Sequence, residues 1–139
     1  QHVLEPLSGY LCLAAHLDKN NKFHGEAYNF GPLSNYNYSV GTLIDEMGKY
    51  WSQIKWNNVS KTERHVHEAG LLKLNCDKAL FDLQWHSTLK FEETVRMTVD
   101  WYKEYYQNQT QSMYGFTIRQ IEAYTKLAKL NDILWATND

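Results

Sequence analysis

Proline and cysteine are almost absent from this sequence: Pro6 and Pro32 are the only prolines, and Cys12 and Cys76 the only thiols. The two thiols fall at separate places, one on an expected helix and one at the start of a short one, and they read as reduced and unpaired. No segment is rich enough in Pro or Gly to divide the chain and no internal repeat is visible, so residues 1–139 read as a single domain. No apolar stretch approaches the roughly 20 residues that a bilayer span needs. With no basic-then-apolar leader at the start, a soluble, cytoplasmic protein without a membrane partner is expected, and the Asn-x-Ser/Thr triplets at Asn37, Asn58 and Asn108 read as chance. A formal charge of −2, with no face that concentrates Lys and Arg, excludes nucleic acid as a partner.

The seven glycines are scattered singly, so there is no Gly-x-Gly-x-x-Gly turn through which backbone N–H groups could approach a pyrophosphate. A P-loop, a Gly-x-Ser-x-Gly elbow and a Tyr-x-x-x-Lys pair are missing too. A self-sufficient redox enzyme is thereby excluded. We expect no catalytic residue in this chain and no cofactor bound by it alone.

What is present is core material: 43% of the residues are apolar and 14% aromatic, enough for a packed interior. Glu5-Pro6 opens a helix, since proline is tolerated in a first turn where its missing N–H has no partner to lose. Leu7, Tyr10, Leu11, Ala14 and Leu17 follow at helical spacing as an expected buried stripe. Ser39 is placed to cap a second helix whose apolar face runs through Val40, Leu43, Ile44, Met47, Tyr50 and Trp51. A third helix is expected over Phe91 to Tyr106, with Val95, Val99 and Tyr102 inward, although Lys90 is a poor capping residue. A fourth should begin at Thr117, which with Gln120 fits a capping box, Phe116 and Ile121 forming a hydrophobic staple. Glu26 to Phe30, Ile54 to Val59 and Leu71 to Leu74 read as short strands, and a helical turn around Asp77 to Ala79 leads to Leu83-Gln84-Trp85. The expectation is a mixed α/β fold, mainly helical, with a few short strands and no complete Rossmann sheet.

The densest polar constellation is His65-Val66-His67-Glu68. It lacks obvious third and fourth metal ligands, so a metal site is not expected; the alternatives are a solvated loop and a ligand-binding one, in which imidazole and carboxylate meet sugar hydroxyls or a diphosphate. Asn29, at the end of an apolar segment and before Phe30-Gly31-Pro32, can present a donor and an acceptor to a hydroxylated ligand or simply tie down its turn. Trp51, Trp56, Trp85, Trp101 and Trp135 fall mostly on apolar faces and are assigned to packing rather than to sugar stacking.

Several segments together resemble the CDP-glucose 4,6-dehydratases of the extended short-chain dehydrogenase/reductase superfamily. Gln1-His2-Val3-Leu4-Glu5-Pro6-Leu7-Ser8-Gly9-Tyr10 is similar to the family's segment that follows an Arg-Pro-Trp. Gly25 to Pro32, His67-Glu68-Ala69, Leu72 to Ala79, Leu83-Gln84-Trp85, Thr98 to Tyr102 and Ile121 to Tyr124 follow in the family's order. The resemblance implies the C-terminal, nucleotide-sugar-binding lobe of such an enzyme, with the Rossmann lobe, its NAD and the catalytic Thr, Asp/Glu, Tyr and Lys lying upstream. It implies that His67 and Glu68, together with Asn29 and His2, neighbour the sugar nucleotide. It also implies an exposed face that meets the Rossmann lobe or supports self-association. The other readings are a non-catalytic interaction domain of the same fold and part of another sugar-nucleotide epimerase or dehydratase. Gln84 replaces the glycine of the family's Leu-Gly-Trp, where a positive φ is at stake, and Asn75 stands where Asp is common.

Overall fold

A computed structural model describes residues 1–33, 37–57, 73–108 and 112–137. Among these residues all regular structure is helical: α1 Leu4–Lys19, a single 3-10 turn Asn21–Phe23, α2 Val40–Tyr50, α3 Asp77–Leu83, α4 Phe91–Gln107, α5 Tyr114–Leu130 and α6 Leu134–Thr137. α2 lies along α4, α4 meets α5, α5 meets α6, and α1 meets both the 3-10 turn and α3.

The mixed α/β expectation is therefore corrected: no strand occurs among the described residues. Glu26 to Phe30 is non-helical but pairs with no neighbouring strand. Its polar groups are met one by one instead. Glu26 N–H donates to the Phe23 carbonyl, the Gln1 side chain donates to the Phe30 carbonyl at 3.2 Å, and the Asn29 amide donates to the Asn75 carbonyl at 3.1 Å. A short apolar run specifies burial; only a partner strand makes it a ladder. Residues 54–57 and 73–74 are likewise irregular, while the remaining positions of those two expected strands lie outside the described residues.

Four helix starts were expected, near Glu5, Ser39, Phe91 and Thr117. The first three stand within a residue. Ser39 Oγ accepts from Thr42 N–H at 3.0 Å, the bond a capping serine is expected to make. At Lys90, whose ammonium cannot accept, Glu93 in the first turn accepts from the Lys90 backbone N–H at 2.8 Å. The fourth start is corrected by one turn: α5 begins at Tyr114, so Thr117 and Gln120 lie inside it. Thr117 Oγ1 accepts from the Trp101 indole at 3.1 Å and the Gln120 amide donates to the Met97 carbonyl at 2.7 Å. They dock α5 onto α4 rather than cap it.

The expected stripe of α1 is displaced around the helix. Leu7, Tyr10 and Leu11 are exposed, and the buried positions are Glu5, Ser8, Gly9 and Cys12. Gly9 allows this approach: a Cβ there would stand 2.3 Å from Phe30 Cδ1. Of the residues expected inward on α2 and α4, Val95 and Val99 are buried, whereas Val40, Leu43 and Tyr102 are exposed and Ile44 and Met47 half-buried. The main core joins Cys12, Phe23, Phe30, Ala79, Leu83 and Trp85. A smaller cluster of Ala128, Ile133 and Ala136 adjoins it through Trp135, which packs on both.

Candidate functional site

Burial of a carboxylate is costly unless hydrogen bonds replace its hydration. Glu5 is 1% exposed, and its two oxygens accept from the backbone N–H groups of Thr88, at 3.0 Å, and Leu89, at 2.6 Å. The Tyr124 hydroxyl donates to the same carboxylate at 2.9 Å. Ser8 extends the network, donating to the Glu5 carbonyl at 2.8 Å and accepting from the Trp85 indole at 3.0 Å. Burial, the foremost cause, together with the Glu5 charge pushes the Tyr124 phenol well above its ordinary value, with the neighbouring Ser8 hydroxyl opposing the shift. The phenol therefore stays a donor. Glu5 of α1 thus fixes residues 88 and 89 and ties them to α5, while Ser8 holds Trp85.

Segment 85–87 forms one wall of a cleft of about 300 Å³, whose other walls are Gly31 to Leu33 and Lys73 to Asp77. Trp85 lines it as well, held edge-on against Phe30 with ring centroids 4.9 Å apart. Gly31 keeps the opposite wall thin, since a Cβ there would lie 3.2 Å from Leu74 Cδ1 and 3.4 Å from Cys76 Sγ. Asn75 starts α3: its oxygen accepts from Asp77 N–H at 2.9 Å and its amide donates to the Asp77 carboxylate at 3.1 Å. At the far end of α3, Gln84 takes up the left-handed conformation, φ 52 and ψ 32, so the turn that aims Trp85 inward is kept without a glycine.

The polar groups facing the cleft are those of Lys73, Asn75, Asp77, His86 and Ser87, a mixture of donors and acceptors fitted to hydroxyl and phosphate oxygens. Cys76 also lines it. Burial raises its thiol pKa, and the Asp77 charge adds to this against a hydrogen bond from the Gly31 backbone, so the thiol stays protonated and is not an activated nucleophile. Among the described residues no group of three or more His, Cys, Asp or Glu side chains could hold a metal ion, and no helix is long and apolar enough to cross a membrane.

Of the four residues singled out from the sequence, Asn29 does not itself line this cleft but lies next to it, its amide donating to the carbonyl of the lining residue Asn75 at 3.1 Å. His2 lies elsewhere. It is buried, accepts from Leu4 N–H at 3.3 Å, and lines a different hollow, of about 310 Å³, beside Thr98, Trp101 and Gln120. Burial, and after it the charge of the amino terminus, holds its pKa below the ordinary value. His67 and Glu68 lie outside the described residues. The sequence reading passed over Glu5, Ser8 and His86. For the first two a signal existed, because Glu5, Ser8 and Cys12 repeat at helical spacing on the face next to the apolar stripe.

No family model matches the chain. Over 104 residues it is 39% identical to the CDP-glucose 4,6-dehydratase of Salmonella typhimurium, a stretch that makes up 74% of this chain and 28% of that protein. The resemblance read from the sequence is thereby shown: the chain is related to that dehydratase over most of its own length and spans little more than a quarter of the relative.

Proposed function

We propose, from that relationship and from the cleft, that this chain is the nucleotide-sugar-binding portion of an NAD-dependent sugar-nucleotide 4,6-dehydratase, a lyase of deoxysugar biosynthesis, acting on CDP-glucose or a close analogue. The observation that carries the reading is a convergence. Asn29-Phe30-Gly31-Pro32, Leu74-Asn75-Cys76-Asp77 and Leu83-Gln84-Trp85, three of the segments in which the sequence resembles the family, meet around one cleft. The first lies about forty residues before the other two, which flank α3, and a purely structural role does not require them to share a concave, mixed donor and acceptor surface.

In this reading Asn29 and the groups at Asn75, His86 and Ser87 orient the hydroxyls and diphosphate. His67 and Glu68, a few residues before Lys73, reach the same ligand. His2 supports the fold behind the site rather than touching it. Hydride removal from the sugar, elimination of water and return of the hydride belong to a nicotinamide and an acid-base set that this chain does not encode, so its part is to bind and position. The exposed apolar side of α1 favours an adjoining lobe over free solvent as its native neighbour.

The test is a titration of the purified chain with CDP-glucose and with CDP, followed by calorimetry. Saturable binding of both, weakened by His86→Ala, is expected. Heat indistinguishable from dilution for both ligands refutes the reading. Incubation with CDP-glucose and NAD should give no 4-keto-6-deoxy product above a no-protein control.

A further inference from the structure

The cleft does not end at Ser87. Pro32 and Ser87 also line a second hollow, of about 250 Å³, between the start of α2 and the start of α4. The two hollows share these residues and differ in chemistry. The first presents Lys73, Asn75, Asp77 and His86. The second presents Val40, Leu43, Leu89 and Phe91, and the Tyr38 ring stacks on Phe91 with centroids 3.7 Å apart and planes 13° from parallel.

Either hollow alone, at about 300 Å³ or 250 Å³, lies at or below the lower end of ordinary ligand cavities, which span roughly 300–1,000 Å³. A nucleotide sugar needs two unlike surfaces at once. Its hydroxylated, doubly charged part calls for hydrogen-bonding groups, and its flat base calls for an aromatic or apolar wall on which a π-face can lie. Resting on the function proposed above, we propose that the ligand runs along the joined cleft, its diphosphate and sugar toward Asn75 and His86 and its base against the Tyr38–Phe91 face. Pro32 and Ser87 flank the middle of the ligand. The helix start at Ser39 thereby acquires a role in ligand choice: Val40 and Leu43, both exposed, form an apolar rim over which a base can slide in.

The test divides the ligand. In ¹⁵N-labelled chain, cytidine should shift amides of residues 38–43 and 89–95, glucose 1-phosphate those of residues 73–77 and 85–87, and CDP-glucose both sets. Tyr38→Ala, a change at a side chain 43% exposed, should weaken CDP binding about tenfold or more, the loss expected when one base stack is removed, while glucose 1-phosphate binding is unchanged. CDP-glucose that shifts only residues 73–87, or a Tyr38→Ala chain that binds CDP as tightly as the parent, overturns this inference and leaves the proposed function standing. CDP-glucose that shifts neither set overturns both.

Discussion

Gln84 is a non-glycine residue held at φ 52, a conformation that costs an ordinary L-residue about 1–2 kcal/mol. Its side chain is exposed, so little packing is forfeited by removing it. Glycine relieves the strain but also frees the unfolded chain, which returns roughly 0.5–1 kcal/mol of the gain. Gln84→Gly should therefore stabilise the chain by about 0.5–1 kcal/mol, read as a higher urea midpoint at unchanged slope; a lower midpoint would mean that Gln84 makes contacts that outweigh its strain. Glu5 is the opposite case. Glu5→Gln keeps the shape but turns an amide N–H toward donors already aimed at it, and should cost about 2–4 kcal/mol. Tyr124→Phe removes one donor while the two backbone bonds remain, and should cost about 1–2 kcal/mol. Because both act on one network, the double variant should lose less than the sum, as a double-mutant cycle will show. His2 sets a pH dependence. Its folded pKa lies below the ordinary 6.5, so above that pH both states are neutral, and below it the unfolded chain takes up a proton that the folded chain resists. Stability should fall as pH drops below 6.5, and His2→Asn should flatten that part of the profile.

Helices were the legible part of this sequence and strands the illegible part, for a physical reason that α1 and residues 26–30 make plain. A helix satisfies its own backbone, so Pro6 in a first turn and Ser39 before an amphipathic run suffice to announce one. A strand is completed only by a neighbour, and Glu26 to Phe30 finds Gln1 and Asn29 side-chain bonds instead. Which face of a helix turns inward is also a tertiary matter. Leu7 and Leu11 outnumber the alternatives on hydrophobicity, yet the bonds from Glu5 to Thr88 and Leu89 bury the adjoining face. The same limit explains the site. Asn29 was singled out as the end of a strand that does not form, and His86 became a candidate only when the chain folded it beside Lys73 and Asn75. The rotation of α1 makes a prediction at Gly9. Alanine gains helix propensity of up to about 1 kcal/mol, but its Cβ would fall 2.3 Å from Phe30, and overpacking of that kind costs about 1–3 kcal/mol. Gly9→Ala should be destabilising, whereas the same substitution at Gly115, where the nearest atom a Cβ meets is the far end of Arg119 at 3.7 Å, should be neutral or better.

At the scale of the whole molecule, the rotation of α1 leaves apolar side chains with no cover. Leu7 is 45% exposed, Leu11 73% and Ile121 40%, and these three line one shallow groove of about 380 Å³ between α1 and α5. A neighbouring hollow shares Leu4 and Ile121 with it, so the apolar surface continues past the start of α1 toward Tyr102. Scattered exposed leucines are ordinary, but a continuous apolar groove is the kind of surface that a second body covers. In the proposed function that body is the lobe carrying the nicotinamide. In the chain as it stands, a second copy is the available substitute, because a formal charge of only −2 does little to keep copies apart. Sedimentation at rising concentration should accordingly show reversible self-association, and an apolar dye should bind and be displaced as the chain associates. Leu11→Lys and Ile121→Lys place charges in that groove without touching Glu5 or Trp85, so they should yield monomers with unchanged urea midpoints. A parent chain that sediments as a compact monomer at every concentration and binds no dye would show that α1 and α5 close their own groove in solution, and the lobe contact would then have to be sought on another face.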